Sequence, residues 1–326
     1  QNTAVGRTAL RTNTTGDSNT GIGYNAMYSN TTGSGGVAVG KDALDANTTG
    51  AYNTAIGALS LSANTTGHEN TAVGYNALND NTSGTRNTAV GTAALDGNTT
   101  GSYNIAIGAY SLSAGVTGDS NIAIGDNAMY DLTSGSHNVS VGNNTLDEIT
   151  DGERNVAVGS GAMSATSTGV NYNNAIGYQA LYATTGSKNN AFGYQALAAS
   201  TGSFNCAFGH EAGETNSTGQ YNVFMGFAAG KANTTGASNV IIGYNAGDAN
   251  TTGTSNVAVG QGALTANTTA NSNTAVGYVA LYTNTTGTQN VAIGDQALEA
   301  NTTGESNVAV GRYALTANTT AAYNTA

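Results

Sequence analysis

The apolar positions of this chain recur every seventeen residues. A Val or Ile, in three units a Phe or Met, precedes a Gly at Gly6, Gly23, Gly40, Gly57, Gly74, Gly91, Gly108, Gly125, Gly142 and Gly159, and again at Gly177, Gly193, Gly209, Gly226, Gly243, Gly260, Gly277, Gly294 and Gly311. These nineteen units keep a spacing of 17 residues, apart from one of 18 (Gly159 to Gly177) and two of 16 (to Gly193 and to Gly209). The consensus is Asn-Thr-Ala-Val-Gly-Tyr-x-Ala-Leu-x-x-Asn-Thr-Thr-Gly-x-x, which residues 70–84, NTAVGYNALNDNTSG, follow almost completely. A repeat this short is too small for a helix pair or a propeller blade. It suits one coil of a parallel β-solenoid, with two or three short strands and tight turns. The fold class predicted is therefore all-β, a β-roll of about nineteen 17-residue coils covering 1–326 as one continuous array, uncapped at both ends and read as a stretch of a longer fibre. At ~4.8 Å per stacked coil the expected rod is on the order of 90 Å long.

Each column of the repeat becomes a stripe along the coils. Val5, Ile22, Val39 and Ile56 begin one apolar stripe, and Leu10, Met27, Leu44 and Leu61 another, which turns to Gly at Gly213, Gly230 and Gly247. Both stripes are expected to fill the interior. Ala4, Ala38, Ala55 and Ala72 precede the Val stripe, and adjacent strand residues point to opposite faces. An inward Val then puts Ala outside, where a small apolar stripe implies a second copy of the chain packed against it, in a symmetric homo-oligomer. The alternative is that Ala sits near corners of a monomeric solenoid. Where Leu becomes Gly at Gly230 and Gly247, the Ala of the same unit becomes Phe224 and Ile241, as a densely packed core requires. Gly16, Gly33 and Gly50, closing each Thr-Thr-Gly, are expected to supply a positive φ at a corner. The Asn opening each unit (Asn2, Asn19, Asn53, Asn70) is read as a structural ladder rather than a ligand contact.

Composition sharpens this picture. The chain has 46 Gly, 50 Thr and 43 Asn among 326 residues, no Pro and no Trp. Such a composition alone suggests disorder, but the register gives each of these residues a place, and the missing Pro fits a backbone whose amides join ladders between coils. Lys+Arg 8 against Asp+Glu 19 leaves a net charge of -11, which excludes a nucleic-acid binder. No apolar run is long enough for a transmembrane helix.

Catalysis needs unlike residues converging, whereas this chain spreads like residues along a line. His68, His137 and His210 lie in different units, Cys206 is alone, and Asp42, Asp45, Asp126 and Asp131 are scattered through turns. No enzyme, cofactor or metal site is expected. Exposed Tyr can stack on sugars, so Tyr24, Tyr75, Tyr178, Tyr194, Tyr244 and Tyr278, following the marker Gly, are candidate surface contacts, as well as candidates for a packing ladder between coils. Tyr28, Tyr130, Tyr182 and Tyr282 recur after the Leu stripe. Thr-Thr pairs such as Thr14/Thr15, Thr31/Thr32 and Thr48/Thr49 form ranks like those of ice-binding solenoids, and lapse between Gly115 and Ala183.

The units NTAVGYNAL, NTAIGALSL and NNAIGYQALYATTGSKNNAFGYQAL resemble the repeats of trimeric autotransporter adhesin heads of the YadA type, which are left-handed β-rolls, and still more those of phage-type tail fibres and related bacterial surface fibres. The resemblance covers the whole chain and implies a homotrimer on a cell surface or virion. The expected function is a non-enzymatic structural and adhesive extracellular fibre shaft that partners itself and surface glycans. The alternatives are a self-assembling extracellular filament without a specific ligand, and a monomeric ice-binding solenoid using the Thr ranks.

Overall fold

The computed structural model describes residues 1–166 and 168–326. It contains nineteen three-residue strands, numbered β1 to β19 in chain order, and no helix among the described residues. The coils group into two units, Gln1–Val170 and Asn171–Ala326, divided within the eighteen-residue spacing between Gly159 and Gly177. The first unit runs from β1 (Thr3–Val5) to β10 (Val156–Val158), and the second from β11 (Asn174–Ile176) to β19 (Val308–Val310). Within each unit every strand pairs in parallel with the next, one coil on and in perfect register: Thr3 with Thr20, Ala4 with Gly21, Val5 with Ile22. Each unit is thus a parallel β-solenoid.

Only one strand forms per coil, not the two or three expected. The residues after the marker Gly take a positive φ at alternate positions, as at Asn25 (53°) and Met27 (55°), which breaks β geometry. Those turns are nonetheless laddered. The Leu10 amide donates to the Ala26 carbonyl at 3.0 Å, Met27 to Ala43 at 3.0 Å and Thr14 to Thr31 at 2.9 Å. Backbone groups removed from water must find partners, and here the neighbouring coil supplies many of them, while turns such as Asn13 to Leu10 close within one coil.

The interior corrects the expected orientation of the strands. The middle residue points inward: Ala38, Ala55, Ala72, Ala89 and Ala106 are fully buried. The Val/Ile stripe lies on the outer face, with Val5 56%, Ile22 39% and Ile56 41% exposed and Val39 half-buried. Leu10, Leu44 and Leu61 are interior, as expected. The physical reason is the width of the coil. A Cβ placed on Gly21, in the Ala column, would lie 3.3 Å from Leu10 Cγ. Opposite the Leu of its layer this column holds only small residues, Ala in most coils, Gly21 in one and Ser140 in another.

Phe224 and Ile241 prove the rule. A Cβ on Gly213 would come within 2.5 Å of the Phe224 ring, one on Gly230 would strike the same ring, and one on Gly247 would come within 2.9 Å of Ile241 Cδ1. Phe224 therefore fills the space of two missing Leu side chains, including that of Gly213 in the preceding coil.

The Thr-Thr-Gly glycines do not have the positive φ expected of them; the marker glycines do, Gly23 at 141° and Gly40 at 144°. Gly33 is Gly because of crowding: a Cβ there would meet Asn30 Oδ1 at 2.6 Å and Asn47 Nδ2 at 2.9 Å. Two buried Asn ladders converge at this corner. Asn19 Nδ2 and Asn30 Nδ2 both donate to the Gly33 carbonyl, at 2.8 and 3.0 Å. The Asn19 amide donates to Asn2 Oδ1 at 2.9 Å and Asn70 to Asn53 Oδ1 at 3.0 Å, while Asn47 Nδ2 donates to Asn30 Oδ1 at 2.8 Å. Asn19, Asn53 and Asn70 are buried, and Asn2, in the terminal coil, is exposed.

In the first unit the second ladder stops at Asn98. The next coils place Val116, Leu132 and Ile149 in the buried corner, and Asn98 Oδ1 is left without a donor. In the second unit the ladder runs again from Asn216.

Candidate functional site

Three outward surfaces carry chemistry. The first is the outer face of the strands, formed by their first and third residues. Across all nineteen strands these positions hold Val, Ile, Thr, Asn, Cys, Phe and Met and no charged residue. Phe192 and Phe208 stack there at 4.4 Å. In the first unit alone, the third residues of ten strands at ~4.8 Å spacing make an apolar stripe roughly 43 Å long, flanked by a first-residue column of Thr, Val and Ile.

The second surface is the column after the marker Gly. Tyr24, Tyr75, Tyr178, Tyr194, Tyr244 and Tyr278 are all exposed, between 41% and 57%. In the second unit the column stacks: Tyr178 on Tyr194 at 5.4 Å, Tyr194 on His210 at 4.6 Å, His210 on Phe227 at 5.1 Å and Phe227 on Tyr244 at 5.4 Å. Neighbouring coils bring like columns one coil spacing apart, and offset aromatic pairs are favourable at that distance. His210 and Phe227 continue this ladder although they break the Tyr pattern; the repeat register is the signal that finds them. In the first unit the Arg7 guanidinium lies 5.9 Å from the Tyr24 ring centre.

The third surface is a pair of grooves beside these columns. In the first unit Tyr110, Asp126, Asn127, Tyr130, Asp131, Asn144 and Asp147 line a groove of about 500 Å³. Burial pushes the Asp147 carboxyl above the usual carboxylate range and the charge of Asp131 adds to this, while the Ser164 hydroxyl, donating at 2.7 Å, opposes it. In the second unit Tyr244, Gln261, Gly262, Tyr278, Tyr282 and Glu299 are among the residues lining a cleft of about 350 Å³. Tyr244 and Tyr278 are the candidate contacts of the sequence that line this cleft, and Gly262 shows in the sequence only as a small residue between Asn245 and Val279 in its column.

The remaining candidates stay apart. Among the described residues no group of three or more His, Cys, Asp or Glu side chains could hold a metal ion. Cys206 is half-buried, and burial pushes its thiol up, away from the reactive thiolate. Asp45 is likewise raised, by burial and then by the charge of Asp42. Lys231 Nζ lies 2.6 Å from Glu211 and holds that carboxyl below its ordinary range. The first Thr of each pair is spent on the scaffold: Thr14, Thr31 and Thr48 donate their hydroxyls to the carbonyls of Thr31, Thr48 and Thr65 at 2.8, 2.9 and 2.9 Å. Among the described residues no helix is long and apolar enough to cross a membrane. No protein-family model matches the chain, and no curated protein matches it.

Proposed function

We propose that this chain is the structural and adhesive shaft of an extracellular fibre, non-enzymatic, borne on a cell surface or virion and assembled as a homotrimer. The observation that carries the reading is the charge-free outer face of the strands. Exposed apolar patches on soluble monomers rarely exceed a few hundred Å², and a continuous outward Val/Ile column backed by a buried Ala column calls for cover on its outer side as well. Another copy of the same chain is the fitting cover. Its own face is equally free of charge, so molecules of net charge -11 meet there without opposing like charges. On this reading the contact between chains runs along the Val/Ile stripe and not along the Ala stripe, which is interior. The exposed Tyr column suits the adhesive half of the reading, since rings presented to water on a rigid scaffold stack on sugar faces, and repeated weak sites add through avidity.

Sedimentation velocity at micromolar concentration tests the assembly. The expected result is a single species with the mass of three chains, which falls to one chain when Ile22, Ile56 and Val90 are together replaced by Lys. A monomer for the unaltered chain overturns the trimer. Polymers of indefinite length replace it with a self-assembling filament.

A further inference from the structure

We infer that the cleft around Gly262 in the second unit is a binding site for a neutral pyranose, which gives the adhesive reading above a defined ligand class and location and rests on it. The floor is Gly262, buried and at φ 64°. A Cβ there would stand 3.1 Å from Val279 Cγ1, 3.5 Å from Thr265 Oγ1 and 3.6 Å from Tyr282 Cδ2, so the missing side chain creates the depth. Three exposed rings surround it, Tyr244 (54%), Tyr278 (53%) and Tyr282 (40%). Tyr244 and Tyr278 stand in one column with Gln261 between them, two coils apart and hence roughly 9.6 Å along the stack. The aromatic ladder that closes the column from Tyr178 to Tyr244 is interrupted at Gln261. Tyr244 and Tyr278 both line the cleft, with the Gln261 side chain in place of a third ring between them.

The polar groups match hydroxyls. Gln296 Nε2 donates to Glu299 Oε2 at 2.8 Å, which fixes the carboxylate and leaves its second oxygen as an acceptor. Gln261 and Asn245 supply amides that both donate and accept. The Thr265 hydroxyl, donating to the Gly262 carbonyl at 2.8 Å, keeps lone pairs to accept. A sugar ring offers the complement: an apolar C–H face for the Tyr rings and hydroxyls that donate and accept for the rim. A uronate, sialate or phosphate is disfavoured by Glu299 in the cleft and by the net charge of -11. The size of about 350 Å³ falls within the range of small-ligand sites.

Calorimetric titration of the whole chain with gluco-, galacto-, manno- and N-acetylglucosamine tetraoses, and with a galacturonate tetraose, tests this. At least one neutral tetraose is expected to bind. Its affinity should fall at least about tenfold in Tyr278→Ala, where stacking is lost, and in Gly262→Val, where the cleft is filled. Val279 already adopts φ 45° in that column, so the backbone tolerates a Val, and the Val279 side chain, 3.1 Å from the added Cβ, yields to it. Gln261→Ala, an exposed change without effect on folding, should weaken binding in the same direction. Tyr52→Ala, an exposed ring of the first unit outside the column of Tyr244 and Tyr278, should leave the affinity unchanged. No binding by any neutral tetraose, tighter binding by galacturonate, or full affinity in Tyr278→Ala and Gly262→Val overturns the site. If binding is instead lost in Tyr75→Ala, the cleft is refuted while glycan attachment by the fibre survives.

Discussion

Two stretches of the second unit fill the same backbone differently. Between Val257 and Leu298 each coil pairs an interior Ala with an interior Leu: Ala258 with Leu264, Ala275 with Leu281, Ala292 with Leu298. Between Cys206 and Gly247 the Leu column is Gly, and bulk enters from the opposite wall as Phe224 and Ile241. Both stretches keep the same strand register and the same corner Asn ladder. What each layer conserves is a volume, whichever wall supplies it.

The sharpest way to break this equivalence is Phe224→Ala, which empties space beside both Gly213 and Gly230. It should cost about 3–5 kcal/mol in urea unfolding, against roughly 2–5 kcal/mol for Leu281→Ala, whose loss is confined to one column. Adding Gly213→Leu and Gly230→Leu to Phe224→Ala converts the variant stretch to the regular one. The glycines sit at φ 59°, close to the 51–55° at which Leu197 and Leu264 already lie. The triple variant should recover most of the lost stability. If it is no more stable than Phe224→Ala alone, the two columns do not share a volume.

A smaller effect sharpens what the stretches have in common. Asn233 donates to Asn216 Oδ1 at 2.7 Å and to the Gly236 carbonyl at 3.0 Å, and Asn284 donates to the Gly287 carbonyl at 2.9 Å and accepts from Asn301 at 2.8 Å. Asn233→Ala and Asn284→Ala should each cost about 1–3 kcal/mol by leaving buried partners unmatched, and equally in the two stretches. A clear inequality in unfolding midpoints would show that the Phe224 coils hold their corner differently.

The smallest effect concerns pH. Burial raises the Asp248 carboxyl above its usual value, against hydrogen bonds from backbone amides. Its proton is held more tightly in the folded chain than in the unfolded one, so stability falls as pH rises from the ordinary carboxylate pKa through the folded one. Asp248→Asn should remove that slope and slightly stabilise the chain at neutral pH, as read from melting temperatures between pH 3 and 7. A slope unchanged in Asp248→Asn assigns the titration elsewhere.

Much of the architecture was legible in the residues. The seventeen-residue period gave the coil, the Leu stripe gave half of the interior, and the regular Asn gave a ladder whose hydrogen bonds run from Asn19 to Asn2 and from Asn70 to Asn53. The orientation of the strands was misjudged, although a clue was present. Phe224 and Ile241 replace Ala where Leu becomes Gly, and two columns exchange volume only when they face each other inside. The glycines of Thr-Thr-Gly were misread for a different reason: sequence does not separate a Gly needed for its φ from one needed because Asn30 and Asn47 crowd its α-carbon. Of the cleft, the Tyr residues were visible as a column, but their convergence with Glu299 and Gln296 over Gly262 required the turns to be placed.

The sequence by itself therefore determined the repeat, the parallel stacking and the identity of every column. Only the tertiary structure decided which of two adjacent apolar columns is core and which is surface. Alternation along a strand fixes that neighbours point oppositely, but is symmetric as to which points in. The width of the coil breaks the symmetry. A layer already holding a Leu has room for the methyl of Ala and none for Val, so the larger stripe is turned outward, where it becomes the surface most in need of a partner.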